Sequence, residues 1–460
     1  MTTFDSRYPS PPHLSYLDYQ TVGIHYILEH QSTLLADDMG LGKTIQAIGA
    51  INSSGSIRDI LVICPAFLRI NWKREIKKWC VKNTKITIIF GRRPRPIESS
   101  KKVRVVIVSY DVLAHHRPNL DKIEWDLLVV DEAHYCKTAG TQRTAAVLGG
   151  RKRVQRKRGV KRTPPVIFEP IKSHRRLFMT GTPILNHPID LWTLVKSLDP
   201  EGLGQSFSKF TSRYCAPRMT RWGMDYTGAA HLDELNERLK PFMLRRLKKD
   251  VLTELPPKRR QIIELPSEGF SSLIDDEFAI YDTYDTYVKE GQVKAKKDAF
   301  TELSKRRRLV AMKKVPLVVL HLKECLAQGP VVCFAHHKDV VKAIASEFRG
   351  CSIITGETPT ESRQKQIDRF QSGETNLIVG NIRAMGVGIS LTRSQHVVFA
   401  ELDWTPANLT QAEDRCHRIG QTNPVLIQHL VLANSLDARM VKILIRKQNV
   451  ISKVLDPASK

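Results

Sequence analysis

The sequence predicts an α/β fold of two parallel-sheet lobes with helical protrusions, and three observations predict it. Short β-branched runs alternate with longer stretches of helical period, the pattern of parallel strands joined by crossover helices. The rhythm occupies both halves of the chain and lapses between them. At 460 residues, the chain is long enough for two or three domains with separate cores.

The elements follow in order. In the first lobe, placed at 1–252, strands are expected at "TLLA" from 33, "ILVIC" from 60, "ITIIF" from 86, "RVVIVSY" from 104, "LLVVDE" from 127 and "RLFMT" from 176. From about 200 the rhythm gives way to helical, basic, proline-broken sequence, read as a protrusion over about 200–250. "LTELPPKRRQIIELP" has the prolines and charge of an exposed linker, placed at 253–266. A second helical protrusion is expected at 267–325. The second lobe, 326–460, has strand candidates "VVCFA" from 331, "SIIT" from 352, "LIVG" from 377, "HVVFA" from 396 and "LIQHL" from 426. It ends in an amphipathic stretch, "LDARMVKILIRKQNVISKVL", expected to form a closing helix.

Charge names a class of partner. Seventy-two basic residues against 47 acidic ones leave a net +25, which calls for a polyanion, and nucleic acid is the usual one. No apolar run approaches the roughly 20 residues that cross a bilayer, so no membrane partner is expected. The first residues, "MTTFDSRYPSPPHLSY", have no basic start followed by an apolar stretch, and no secretory signal is expected. The eight cysteines include no C-x-x-C pair, which fits buried thiols in a reducing compartment better than zinc or disulfides. Within the first lobe, "RKRVQRKRGVKR" (Arg151 to Arg162) holds eight basic residues in twelve. It reads as a solvated loop, a DNA-contacting loop or a nuclear import signal.

The chemistry begins at "LLADDMGLGKTIQAI" (Leu34 to Ile48). A strand, a glycine turn and a helix start in succession let backbone N–H groups and the helix N-terminus converge on a phosphate. Lys43 would reach the β and γ phosphates, and the Thr44 hydroxyl would hold magnesium. The strict pattern asks for glycine at position 37, where this chain has Asp. "LLVVDEAH" then ends a buried-looking strand with Asp131, Glu132 and His134: Asp131 suits a magnesium shell, and Glu132 can polarise an attacking water. In "LTQAEDRCHRIGQ", Gln411, Arg415 and Arg418 are spaced to share one helical face, with Ala412, Cys416 and Ile419 on the neighbouring apolar face. Such arginines could quench charge on a γ-phosphate, in a hydrolysis site completed when the two lobes close on it.

Taken together, "LDYQTVGIHYIL", "DDMGLGKT", "ICP", "DEAH", "MTGTP", "MGVGISLT" and "QAEDRCHRIGQ" occur in the order of superfamily-two helicase motifs. The chain resembles the Swi/Snf ATPase family, and "FAELDWTPANLTQAEDRCHRIGQ" is especially similar to its annealing-helicase (HepA-related) subgroup. The resemblance implies two RecA-like lobes, ATP and Mg2+ as cofactors, and ATP hydrolysis driven by double-stranded or branched DNA. It implies that Gln20 contacts adenine, and that Asp38, Met39, Gly40, Leu41, Gly42, Lys43, Thr44 and Ile45 form the ATP-binding loop. Lys43, Asp131, Glu132, Gln411, Arg415 and Arg418 would be catalytic, with Thr44 and Asp131 on the metal. His134, Thr180, Gly181 and Thr182 would couple hydrolysis to DNA, and Gly386 and Gly388 would let backbone approach DNA or nucleotide. "FMLRRLKKDV" (Phe242 to Val251) resembles the segment that ends the first lobe.

The chain departs from the family pattern in having Asp38 where Glu is usual, and Asn381 and Ile382 where a hydroxyl pair is common. Asp38 either faces the opposite lobe and pairs with a basic group there, or caps a local turn. The leading reading is an ATP-dependent translocase on double-stranded DNA that remodels or reanneals branches. The other readings are an RNA helicase of the DEAH kind and a basic nucleic-acid scaffold with a regulatory ATPase. A monomer is expected, and the compact form suits a bacterial or viral protein of the cytoplasm, with a nuclear setting as the alternative.

Overall fold

The computed structural model describes residues 7–151, 166–184, 187–220, 223–252, 254–290, 293–386, 388–441 and 444. The chain divides into two compact units, the first built from Met1–Cys215 and Ala229–Val251, the second from Ala216–Gly228 and Leu252–Ser452. Most of the basic stretch 151–162 and of the expected closing helix lies outside the described residues.

The first unit is organised by a seven-stranded parallel sheet. Its order is Met243–Leu244, Ser32–Leu35, Ser173–Met179, Trp125–Asp131, Asp59–Cys64, Val103–Ser109 and Thr84–Ile88. Ile60 to Cys64, Val105 to Val108 and Leu127 to Val130 are buried throughout. Unbroken apolar runs of this kind are what a sheet covered on both faces demands. Helices Lys43–Ser53, Leu68–Trp79 and Tyr110–Leu120 are crossovers between these strands.

The second unit has a six-stranded parallel sheet in the order Lys258–Leu265, Val425–Leu432, His396–Phe399, Val331–Ala335, Leu377–Asn381 and Ser352–Ile354. Two helices, Ser271–Lys289 and Val293–Leu326, precede its Val331–Ala335 strand. Leu436 and Met440, at the start of the expected closing helix, are buried in the core of this unit.

Two expectations are corrected. The linker expected at 253–266 contains a full strand, Lys258–Leu265, paired in parallel with Val425–Leu432 over eight residues. It escapes sequence reading because it is an edge strand: of its residues only Leu265 is buried, so no apolar alternation marks it. The protrusion expected at about 200–250 is not wholly helical either. Besides helices Phe207–Tyr214 and Leu232–Leu239 it contains the antiparallel pair Arg218–Thr220 and Gly223–Asp225, and its Met243–Leu244 joins the first sheet.

Candidate active site

Three adjacent strands of the first sheet end together, and each end carries one of the motifs. Ser32–Leu35 runs into the glycine loop, Ser173–Met179 into Thr180–Gly181–Thr182, and Trp125–Asp131 into Glu132–His134. The carboxyl ends of parallel strands are where open α/β sheets place their ligands.

The loop is built for a tight backbone. Gly40 (φ 86°) and Gly42 (φ 74°) adopt left-handed conformations, and Gly42 immediately precedes the Lys43–Ser53 helix. A Cβ on Gly42 would also lie 2.5 Å from Gln20 Nε2. Gln20 is buried beside the loop: Leu17 N donates to its Oε1 (3.0 Å) and its Nε2 donates to the Leu41 carbonyl (3.4 Å). Met39 and Leu41 pack inward, while Thr44 and Ile45 are half-buried. Lys43 Nζ donates to the carbonyls of Asp37 (2.6 Å) and Asp38 (3.1 Å). Burial pulls the Lys43 pKa down, against the carboxylates of Glu132, Asp37, Asp38 and Asp131, which favour its charge.

The two aspartates before the glycines have separate tasks. Asp37 is wholly buried and accepts Arg246 Nε (2.9 Å), a second guanidinium bond from Arg246 Nη2, the Arg246 backbone N–H (3.1 Å) and Gln46 Nε2 (3.0 Å). Arg246 also stacks on Tyr19, 5.3 Å from the ring centre. The Asp38 carboxylate accepts the backbone N–H of Lys248 (3.4 Å), the first residue of the Lys248–Val251 helix. Both contacts lie within the first unit, and the Asp38 bond spans 210 residues, so it ties two distant segments of that unit together and is not the local turn cap.

Asp131 sits deep. Trp72 Nε1 donates to its Oδ2 (2.9 Å) and Glu132 N to its Oδ1 (3.0 Å). Burial, then the neighbouring Glu132, push its pKa up to about 7 against the bonds from Trp72 and the charge of Lys43. Glu132 has φ 53°, a left-handed backbone that is costly for a residue with a side chain and breaks the strand here. His134 Nδ1 lies 3.0 Å from Thr180 Oγ1 and 3.3 Å from Glu132 Oε2. Thr182 N donates to the same Thr180 hydroxyl (3.1 Å). A Cβ on Gly181 would come 2.5 Å from Met39 Cγ and 3.4 Å from Lys43 Nζ, so only glycine allows this approach to the loop. Sequence reading missed Arg246, Gln46 and Trp72 as supports. Their signal is a buried charge demanding a partner, which appears only once Asp37 and Asp131 are known to be enclosed.

In the second unit, the helix expected to carry Gln411, Arg415 and Arg418 on one face ends at Glu413. Asp414 to Gly420 are turns, so the shared helical face is corrected, and Ile419 is 42% exposed, not part of an apolar face with buried Ala412 and Cys416. Lys258 and Arg260 bind Glu413, and Lys258 binds Asp414, at the point where the helix stops. Another device aligns the arginines. Arg415 Nη1 (3.4 Å) and Arg418 Nη1 (3.2 Å) both donate to the Ile389 carbonyl, and Arg415 Nε donates to the Gln411 carbonyl (2.9 Å). Ile389 follows Gly388, whose φ is 73°, and Gly386 closes the Ile382–Met385 helix, where a Cβ would meet the Ile382 carbonyl at 2.4 Å. The glycine motif and the arginine motif are thus one knot of backbone and guanidinium. At the departure from the family pattern, Asn381 Nδ2 donates to the His336 carbonyl (3.0 Å) and Ile382 is buried.

The SNF2-related domain model matches residues 19–326. The chain belongs to the SNF2-related family. The helicase conserved C-terminal domain matches 314–420. The chain is 31% identical over 459 residues to the human "DNA annealing helicase and endonuclease ZRANB3", covering 96% of this chain and 40% of that protein. It is 31% identical over 436 residues to the Xenopus tropicalis "SWI/SNF-related matrix-associated actin-dependent regulator of chromatin subfamily A-like protein 1", covering 92% of this chain and 43% of that protein. The chain therefore spans less than half the length of either relative. Among solved structures it is similar to the "Sulfolobus solfataricus SWI2/SNF2 ATPase core in complex with dsDNA", at 23% identity and a TM-score of 0.44, over 97% of this chain and 98% of that one. These relatives also correct the expected setting: they are animal proteins with DNA and chromatin in their names, so a bacterial or viral cytoplasmic origin is not supported. Among the described residues, no helix of this SNF2-related chain is long and apolar enough to cross a membrane.

Proposed function

We propose that the chain is an ATP-driven translocase on double-stranded DNA, hydrolysing ATP in response to DNA and remodelling or reannealing branched strands. One observation carries the reading: three neighbouring strand ends gather a phosphate loop, a paired carboxylate and the threonines that connect them. Backbone N–H groups released by the glycines and the head of the Lys43–Ser53 helix bind phosphate, and Lys43 adds charge. Gln20, against the loop at Leu41, is assigned the adenine.

The residues fit a divalent cation as well. Burial, and then the adjacent Glu132 carboxylate, raise the Asp131 pKa to about 7, a penalty that a cation beside the pair would relieve. Asp131 with the Thr44 hydroxyl would hold Mg2+, which when bound neutralises charge on the phosphates. Glu132 is assigned the attacking water and its proton. His134 stands between Glu132 and Thr180 and so links the carboxylates to Thr180–Thr182, the route assigned to DNA coupling. Arg415 and Arg418 are assigned the charge on the terminal phosphate, with Gln411 beside them. The monomeric state is part of the same proposal.

ATP turnover measured with duplex DNA, forked DNA, single strands and RNA tests it. Duplex or forked DNA should activate, and Glu132→Gln should lower turnover by about 10²-fold or more with ATP binding retained. Activation by RNA alone, or full turnover in the Glu132→Gln variant, overturns the reading. An annealing and branch-migration assay on the best activator then tests the branched-DNA task.

A further inference from the structure

At the edge of the first sheet, an aromatic ring is held out in solvent among arginines. Phe90 follows Thr84–Ile88, the last strand of the sheet, and is 60% exposed. All seven strands run parallel, so the chain leaves this strand on the same side of the sheet as the glycine loop. The two exits are five strand spacings apart, or roughly 24 Å. The ring therefore shares the rim of the nucleotide loop without belonging to it.

A lone exposed ring is ordinary on a protein surface, but this one is built in place. The Arg69 guanidinium lies 4.6 Å from the ring centre, a cation–π contact. That guanidinium is itself fixed, because Nε donates to the Ala66 carbonyl (2.9 Å) and Nη1 to the Ile89 carbonyl (2.7 Å). Gly91, with φ 70°, turns the chain directly after the ring, and its carbonyl lies 3.1 Å from Nε2 of the buried His116. Ring and turn are thus anchored from two helices, Leu68–Trp79 and Tyr110–Leu120.

The charge beside the ring is a second observation. Arg92, Arg93 and Arg95 are exposed, and Asn119 Nδ2 ties the Arg95 carbonyl to helix Tyr110–Leu120 (2.9 Å). Pro94 and Pro96 restrict themselves and the arginines before them to extended backbone, which spaces the guanidinium groups along the segment. The whole connection 90–102 holds five basic residues and one acid, Glu98. Glu98 pairs with Lys85 of the preceding strand, and the connection stays strongly positive with its charge counted in full.

We propose that Phe90, with Arg92, Arg93 and Arg95, binds the unpaired strand of branched DNA: a base stacks on the exposed ring, and the arginines take the flanking phosphates. Stacking tolerates any base but needs one that is out of its pair, so the contact separates a single-stranded arm from intact duplex. The inference rests on the branched-DNA reading of the proposed function and deepens it by naming the structure recognised and the ring that recognises it.

The test titrates the full chain into two DNAs: a fork with 2-aminopurine in its unpaired arm beside the junction, and a fully paired duplex. Phe90→Ala should weaken fork binding by about tenfold and leave duplex affinity within about twofold of the parent. The change in 2-aminopurine fluorescence that the parent produces should be lost in Phe90→Ala and regained in Phe90→Trp, which restores a stacking face. Arg92→Gln with Arg93→Gln should lower the slope of log K against log salt on the fork by about 1.4, at roughly 0.7 per phosphate on a single strand. Duplex-stimulated ATP turnover should stay within about twofold in every variant. A parent that leaves the probe unaltered, or a Phe90→Ala chain that keeps full fork affinity or loses fork and duplex equally, overturns the site and leaves the motor reading intact. A parent chain that neither binds these DNAs nor is activated by them overturns both.

Discussion

Asp37 shows how one carboxylate can sit beside an anion site without spoiling it. Its charge is consumed by Arg246 and Gln46, so what the loop presents to phosphate is glycine backbone and Lys43. Removing one partner of a buried ion pair costs about 3–5 kcal/mol, because the other charge stays buried. Arg246→Ala should therefore lower the first unit's stability by about 3 kcal/mol, read as a denaturant midpoint shift without a slope change. Asp37→Asn should do less, since the amide oxygen still accepts. Gly42→Ala makes a sharper local test: the left-handed backbone alone costs about 1–2 kcal/mol, and the new Cβ displaces Gln20. Nucleotide affinity, followed by a fluorescent ATP analogue, should fall well beyond what the stability change explains. At this scale the loop, both carboxylates and the histidine were legible in the sequence, because each motif is local. Arg246 was not legible as the partner of Asp37, which lies 209 residues away and is identified only by the fold.

At the scale of elements, legibility followed burial. Strands such as Ile60 to Cys64 and Val331–Ala335 are enclosed on both faces, and their unbroken apolar runs mark them. Lys258–Leu265 is held by other means: backbone pairing along one side, and Lys258 and Arg260 clasping Glu413. Burial alone would raise the Glu413 pKa, but Lys258, His429 and Arg260 outweigh it and hold the carboxyl well below its ordinary 4.5. The sign follows directly. A depressed carboxylate pKa gives stability that is present above pH 4.5 and lost as pH falls towards the folded-state value. Glu413→Gln should cost about 3 kcal/mol at pH 7, the low end for a buried pair because Arg260 is half exposed. The difference between parent and variant should shrink steadily in denaturant melts taken from pH 5 to pH 3. A constant difference would show that the clasp contributes through packing and not charge. The same clasp lies where the Pro406–Glu413 helix stops, which is why a helical period continued through Arg418 on paper does not continue in the molecule.

For the whole molecule, a net charge of +25 and two separate parallel sheets ask which parts act on the nucleotide and which on the polyanion. The arginine knot decides this, because Arg415 and Arg418 belong to the second unit while Lys43, Asp131 and Glu132 belong to the first. Were the knot only structural, a change there would reduce stability and leave turnover per folded molecule alone. Were it to act on the terminal phosphate, turnover would collapse while duplex binding survived. Arg418→Lys separates the two, since it keeps a charge near the Ile389 carbonyl but loses the planar fork that matches phosphate. DNA-stimulated turnover in Arg418→Lys should fall by about 10²-fold or more, with duplex affinity within about twofold and the melting temperature close to the parent. Turnover that tracks the folded fraction would confine both arginines to holding the glycine motif in place, and the division of labour between the units would have to be drawn without them.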